Sequence, residues 1–129
     1  MSDHPKLQQG MWCHIEIPTA DLEKSKEFYG EVFGWKFTDV DMGGHTYSLY
    51  DTGGGGIGGG LWNPPEGIPR QPINYIDVEE IEPIVAAAEQ RGGKVLLPMQ
   101  EIPNTGWFSL LQDPAGNVLG IWKQNPQGH

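Results

Sequence analysis

The order of predicted elements occurs twice along the chain, and this repeat constrains the fold more than any other feature. Alternating apolar residues predict a strand in residues 11–18, and an apolar stripe followed by Gly34 predicts a helix after it. Three short strand patterns complete the first copy. A strand at 73–78, a helix that ends at Gly92 and Gly93, and three further strands form the second. The three later strands of each copy are predicted at 35–40, 45–51, 56–62, 94–100, 106–113 and 117–123.

Matching positions recur about sixty residues apart. Gly34 corresponds to Gly93, and Gly59 is matched with Gly120. Each copy has one helix, which can cover only one face of its sheet, so the other face must meet the second copy or enclose a ligand. We predict an α+β fold in which two βαβββ modules form a cupped mixed sheet with helices on the outer face.

The repeat also predicts the domain organisation. One domain spans residues 11–123, with module one at 11–62, a proline-rich link at 63–72 and module two at 73–123. A flexible segment, residues 1–10, precedes the domain, and a short tail, residues 124–129, follows it.

The glycine-rich stretch TGGGGIGGG, residues 52–60, does not have the pattern of a phosphate-binding loop. Such a loop carries Lys and Ser or Thr at fixed positions and opens a helix, whereas this stretch continues into LWNPP. Pro64 and Pro65 disfavour a helix there. We predict instead a tight turn near 53–56 that leads into a short strand at 57–62.

Composition excludes several classes of function. The net charge of −9 disfavours nucleic acid and anionic membranes as partners. Cys13 is the single cysteine, which excludes an internal disulfide framework and a cysteine-based zinc cage. No apolar run reaches membrane-spanning length and the first ten residues lack the pattern of a signal peptide, so we expect a cytoplasmic protein with Cys13 reduced.

Two segments carry a resemblance to a known family. The stretch HIEIPTADLEKSKEFYGEVFGW near the start and LLQDPAGNVLGIW near the end, within two βαβββ copies, resemble the vicinal oxygen chelate superfamily over about residues 11–123. That superfamily contains glyoxalase I, extradiol dioxygenases, fosfomycin-resistance transferases and bleomycin-resistance proteins. The chain looks closest to single-domain glyoxalase-related proteins, and this resemblance implies a homodimer.

The resemblance also implies four metal-ligand positions, one on the first and one on the last strand of each module. They carry over to His14, Gly59, Ile73 and Gly120, of which only His14 can bind a metal. A catalytic divalent site needs about three protein ligands. We therefore expect no cofactor and no metal. A divalent metal on a rearranged set, with Glu16 and either His45 or Asp77 beside His14, is the less favoured alternative.

His14 and Glu16 share one face of the first strand and form a candidate acid–base pair, because a partly buried Glu and a His both titrate near neutrality. Hydrogen-bonded structural roles are the favoured interpretation of both residues. The other candidate ligand-binding residues are aromatic rings or positions around the expected cavity, where a flat molecule could lie in the space left by the glycines. They are Trp12, Tyr47, Gly59, Ile73, Tyr75, Trp107, Gly120 and Trp122.

These features predict a glyoxalase-related protein that binds, and can transform, a small carbonyl-bearing or aromatic molecule without the usual set of four metal ligands. If it is an enzyme, the resemblance implies a lyase or isomerase of the glyoxalase type. One alternative is a bleomycin-resistance-like protein that sequesters a ligand. A second is a metal-dependent lyase or dioxygenase with a rearranged site, and a third is a sheet face that serves only dimerisation.

Overall fold

The computed structural model describes residues 10–126, and all ten predicted elements lie within this range. The observed bounds are β1 Trp12–Pro18, α1 Leu22–Phe33, β2 Lys36–Asp41, β3 Thr46–Asp51, β4 Gly58–Trp62, β5 Ile73–Asp77, α2 Ile81–Gln90, β6 Lys94–Ile102, β7 Gly106–Gln112 and β8 Val118–Gln124. The α+β class and the two βαβββ modules are thus confirmed. Most of the predicted flexible segment and the last three residues of the predicted tail lie outside the described residues.

The chain forms two compact units that nearly coincide with the modules. Among the described residues, one unit is Cys13–Asn74, and the other contains residues 10–12 and 75–126. Neither helix within residues 10–126 is long and apolar enough to cross a membrane.

In module one the strand order is β2-β3-β4-β1, with β1 and β4 parallel and the other pairs antiparallel. The parallel pair aligns Ile15 with Gly59 and Glu16 with Gly60. The glycine run forms the predicted turn, because Gly53, Gly54 and Gly55 all have φ between 63° and 83°, a region that L side chains rarely adopt. The turn interpretation is therefore confirmed, and it brings β4 beside β1.

Helix α1 ends at Gly34, as the sequence predicts, but its apolar stripe is not buried. The Asp21 carboxylate accepts a hydrogen bond from the Lys24 backbone N–H at 3.1 Å, and Gly34 ends the helix with φ of 79°. No residue of α1 is buried, and Phe28, Val32 and Phe33 are each more than half exposed. The apolar stripe therefore predicted the helix but not a buried helix face.

Aromatic stacking contributes to the packing of module one. The Tyr29 and Trp35 rings stack with centroids 4.8 Å apart, and the Trp35 and Tyr50 rings stack at 4.3 Å. The Tyr50 hydroxyl donates a 2.6 Å hydrogen bond to the Ile15 carbonyl oxygen. The α1 region is therefore held to β1 and β3 through three rings rather than through aliphatic side chains of the helix.

Module two has the corresponding order β5-β8-β7-β6, with β5 and β8 parallel. Its helix α2 packs on one sheet face through a cluster that includes Val78, Ile81, Leu111 and Ile121. The opposite face carries Tyr75, Phe108 and Gly120, because side chains alternate along a strand. The two faces of this sheet are therefore chemically distinct.

Candidate functional site

Three side chains of module one form a buried hydrogen-bonded chain. His14 and Glu16 come from β1, and Tyr47 comes from β3. The Tyr47 hydroxyl lies 2.8 Å from His14 Nε2 and donates to Glu16 Oε2 at 2.8 Å. Exposure is 7% for His14, 1% for Glu16 and 0% for Tyr47. The two residues predicted as an acid–base pair are thus joined through one phenol oxygen, and we call this set the His14–Tyr47–Glu16 chain.

The direction of these bonds defines the histidine tautomer. A carboxylate only accepts, so the phenol proton points to Glu16 and the phenol oxygen accepts from His14. His14 Nε2 therefore carries a proton in this arrangement. Burial lowers the pKa of His14 from 6.5 to about 4, so the ring is uncharged at neutral pH. A neutral imidazole with Nε2 protonated leaves Nδ1 as its basic nitrogen.

Gly60 makes room for this chain. A Cβ atom added at Gly60 would overlap the Tyr47 ring, so any other residue there would displace the phenol. Trp62, two residues further along β4, packs near Tyr47 with ring centroids 6.1 Å apart. The Tyr47 ring therefore occupies the space that a side chain at Gly60 would take.

Gly120 has the same role in module two. It pairs with Tyr75, and a Cβ atom added at Gly120 would overlap the Tyr75 ring. Phe108 contacts Tyr75 edge-on at 5.9 Å. The hypothesis that the glycines leave room for a flat ligand is corrected at Gly120, because a tyrosine of the same module occupies the space.

The match between Gly59 and Gly120 also needs correction. The strand register pairs Leu49 with Gly60 in module one and Leu110 with Gly120 in module two, so Gly60 is the counterpart of Gly120. A Cβ atom at Gly59 would instead overlap the Ile15 carbonyl oxygen. The sequence contained a signal for the correct offset, since GLW at 60–62 repeats as GIW at 120–122.

The remaining predicted ligand-binding residues are distributed over different environments. Trp12 is 54% exposed, whereas Ile73 and Tyr75 are buried. Trp122 is buried and donates from Nε1 to Gln124 Oε1 at 3.2 Å. Trp107 lies on the α2 side of its sheet, opposite Gly120, where the Lys123 ammonium group is 5.2 Å from its ring centroid. The inclusion of Trp107 with Gly120 in one site was therefore wrong.

Asp77 is a buried ionisable group that the sequence singled out only as an alternative metal ligand. The exposed fraction of Asp77 is 3%. Within residues 10–126, no side chain or backbone N–H group is seen to donate a hydrogen bond to its carboxyl group. Burial, with the charge of Glu79 as a smaller contribution, raises the pKa of Asp77 from 3.8 to about 6. Asp77 therefore changes charge at mildly acidic pH.

The residues present do not fit the metal that the fold family implies. Gly59 and Gly60, Ile73 and Gly120 offer no side-chain donor, and the Nε2 atom of His14 is bonded to the Tyr47 hydroxyl. His45 lies on the exposed surface. Among residues 10–126, no three His, Cys, Asp or Glu side chains are grouped as a metal site requires.

Comparison with known proteins identifies the class. Residues 13–121 match the Glyoxalase/Bleomycin resistance protein/Dioxygenase superfamily, and the chain belongs to this family. CFP32 of Mycobacterium bovis, a protein assigned to the glyoxylases, is 31% identical over 130 residues, which is 97% of this chain and 50% of that protein. A glyoxylase-like domain-containing protein of Didymella fabae is 32% identical over 118 residues, 87% of this chain and 92% of that one.

A solved structure gives the same fold. Methylmalonyl-CoA epimerase from Mycobacterium tuberculosis superposes with a TM-score of 0.71 at 16% identity, over 95% of this chain and 93% of that one. Because the identity is low, this similarity concerns the fold alone. The chain spans about half the length of the first curated relatives it matches.

Proposed function

We propose that this protein binds a small carbonyl-bearing molecule and transfers a proton on it through the hydrogen-bonded His14–Tyr47–Glu16 chain. The reaction would proceed without the metal that other members of the fold use. One observation carries the proposal, namely that a neutral histidine, a phenol and a carboxyl group are joined by two 2.8 Å hydrogen bonds inside one module. A proton acceptor and a proton donor are the two groups that isomerisation next to a carbonyl requires.

Each member of the chain has a role in this proposal. Glu16, as the carboxylate, takes a proton from the carbon next to the carbonyl group. The Tyr47 hydroxyl turns from Glu16 to the carbonyl oxygen and donates its proton as negative charge develops there. His14 stays neutral and donates from Nε2–H to the phenolate oxygen, which stabilises the charge on Tyr47. The result is an enol. It returns to the carbonyl compound when protonated Glu16 gives a proton back to the carbon and the enol oxygen gives its proton back to Tyr47, and exchange of the Glu16 proton with solvent places deuterium on the carbon.

The arrangement disfavours His14 as the primary base. A histidine whose pKa is about 4 binds a proton weakly at neutral pH, and its Nε2 atom is already engaged as a donor. The Glu16 carboxylate accepts the phenol hydrogen bond at 2.8 Å, so it is the proton acceptor of this proposal. Replacement of Glu16 should therefore reduce turnover more than replacement of His14.

Hydrogen–deuterium exchange tests the proposal. A panel of 2-oxo acids, α-hydroxyketones and aryl ketones is incubated with the protein in D₂O, and loss of the proton next to the carbonyl group is followed by proton NMR. We expect exchange of at least one compound to fall by about 10²–10⁴-fold in Glu16→Gln, which is the range for loss of a general base. Tyr47→Phe should reduce it less, because a bound water can replace the phenol.

Tyr50→Phe is the matched control. It also removes one buried phenol hydroxyl, but that hydroxyl bonds to the Ile15 carbonyl oxygen rather than to His14 or Glu16. Equal exchange rates in Tyr47→Phe and Tyr50→Phe would refute the proposed role of the His14–Tyr47–Glu16 chain in proton transfer. Tryptophan fluorescence on the same panel separates catalysis from sequestration, since binding without exchange in the wild-type protein would favour a ligand-sequestering protein instead.

A further inference from the structure

A groove between α2 and its sheet is independent of the His14–Tyr47–Glu16 chain. It lies wholly in the compact unit that contains module two and has a volume of about 590 Å³. Its floor is formed by side chains of β5, β7 and β8, and its wall by α2, with Ile76, Leu111, Leu119, Ile84 and Ala88 among the residues that line it. This is the face opposite Tyr75 and Gly120.

The groove stays open because the side chains of α2 that face it are small. Ala87 and Ala88 line the groove, so α2 presents methyl groups where longer side chains would fill the space. The floor is well packed, since Val78, Leu111 and Ile121 are at most 4% exposed. A cavity of several hundred cubic ångströms with apolar walls and few polar groups has the size and character of a small-molecule site.

The polar groups of the groove are Arg91, Gln112 and Asp113. The Asp113 carboxylate is engaged in its own turn, where it accepts from the backbone N–H groups of Ala115 and Asn117 and from the Asn117 side chain. Gln112 donates to the Gly116 carbonyl oxygen at 3.3 Å. Within residues 10–126, the Arg91 guanidinium group forms no ion pair.

We propose that this groove binds a small amphipathic anion, a medium-chain carboxylate, with its apolar tail against α2 and the sheet and its head group on Arg91. The walls exclude a charged tail because they offer no partner for it. The guanidinium group offers paired N–H donors that match a carboxylate and is exposed at the groove, so it fits the anionic head group.

The probes are hexanoate, octanoate and decanoate, with octanol as the uncharged analogue of octanoate. Titration is followed by ¹H–¹⁵N NMR, which reports the residues that respond. We expect shifts at Ile84, Ala88 and Leu119, and affinity that rises about fourfold for each added methylene group. Octanoate should bind more tightly than octanol, and Arg91→Gln should weaken octanoate about tenfold while it leaves octanol unchanged.

Two alanines of α2 provide a matched pair of variants. Ala88→Leu places a larger side chain in the groove, whereas Ala86→Leu is the same substitution on the same helix at a residue that does not line it. We expect octanoate binding to be lost in Ala88→Leu and retained in Ala86→Leu. Ala87→Leu serves the same purpose if Ala88→Leu does not fold, which circular dichroism would show.

Three results would overturn the proposal: no shift of groove residues with any probe, equal binding in Ala88→Leu and Ala86→Leu, or octanol as tight as octanoate with no effect of Arg91→Gln. Protection of the groove by a second copy of the chain, seen as concentration-dependent shifts without any probe, would also count against it. None of these results affects the proton-exchange test of the other module.

Discussion

The stability of this protein should depend on pH through two buried groups that act in opposite directions. His14 has a pKa of about 4 in the folded protein against 6.5 ordinarily, so the unfolded chain binds the extra proton between these values. His14 therefore stabilises the fold above pH 6.5, and this contribution is lost as the pH falls towards 4. A difference of about 2.5 between the two pKa values corresponds to about 3 kcal/mol.

Asp77 has the opposite effect. Its pKa is about 6 in the folded protein against 3.8 ordinarily, so the folded chain holds the extra proton between these values. The fold therefore gains stability as the pH falls from about 6 to 3.8, by at most about 3 kcal/mol, since solvent screening of the carboxyl group reduces this value. The two contributions oppose each other, so the free energy of unfolding of the wild-type protein should change less between pH 6.5 and 4 than that of a variant that lacks either group.

Single substitutions should separate the two groups. Asp77→Asn removes one titration, and its free energy of unfolding should fall by about 3 kcal/mol from pH 6.5 to 4. His14→Gln removes the other, and its stability should rise over the same range. The assay is urea unfolding monitored by tryptophan fluorescence at half-unit steps of pH. If the stability of Asp77→Asn changes no more with pH than that of the wild type, His14 is not held neutral by burial, and the uncharged state derived for it is refuted.

Local contacts lead to three further predictions, and the proposed function leads to a fourth. Gly60→Ala should lower the free energy of unfolding by about 1–3 kcal/mol, because the added Cβ atom overlaps the Tyr47 ring. Gly30→Ala should raise it by about 1 kcal/mol, because Gly30 lies at an unstrained position in a helix. Urea unfolding measures both changes. Asp21→Ala should cost about 1 kcal/mol through loss of the bond from Lys24, measured the same way. Chelation with EDTA should leave proton exchange unchanged; loss restored by one divalent metal would refute the metal-free proposal.

The sequence was sufficient to predict the elements of the fold, because strand alternation, helix ends and turn glycines are local properties. Asp21 caps the start of α1 and Gly34 caps its end, as residues of these two types commonly do. Burial of the α1 stripe was not predictable, because it depends on what packs against the helix. Phe28 and Val32, four residues apart, have the spacing of core residues, yet the stack of Tyr29, Trp35 and Tyr50 forms the contact in their place.

The candidate site was predicted in part. The alternation of β1 placed His14 and Glu16 on one face, and both are buried there. Their connection through Tyr47 depends on a contact between residues more than thirty positions apart, which no local pattern encodes. The role of Gly60 required the strand register, and a misplacement by one residue was enough to assign that role to Gly59.

The tyrosine rings over Gly60 and Gly120 also restrict how the sequence can evolve. A mutation from Gly to Glu at either position would bring a metal-binding carboxylate into the place where a tyrosine ring already lies. The Gly-to-Glu substitution alone would lower the stability of the fold through overlap with the ring. Loss of the tyrosine ring alone would leave a cavity in the core. Introduction of a carboxylate at either glycine therefore needs a second substitution that removes the tyrosine ring, so the glycine and the tyrosine of each module should be energetically coupled.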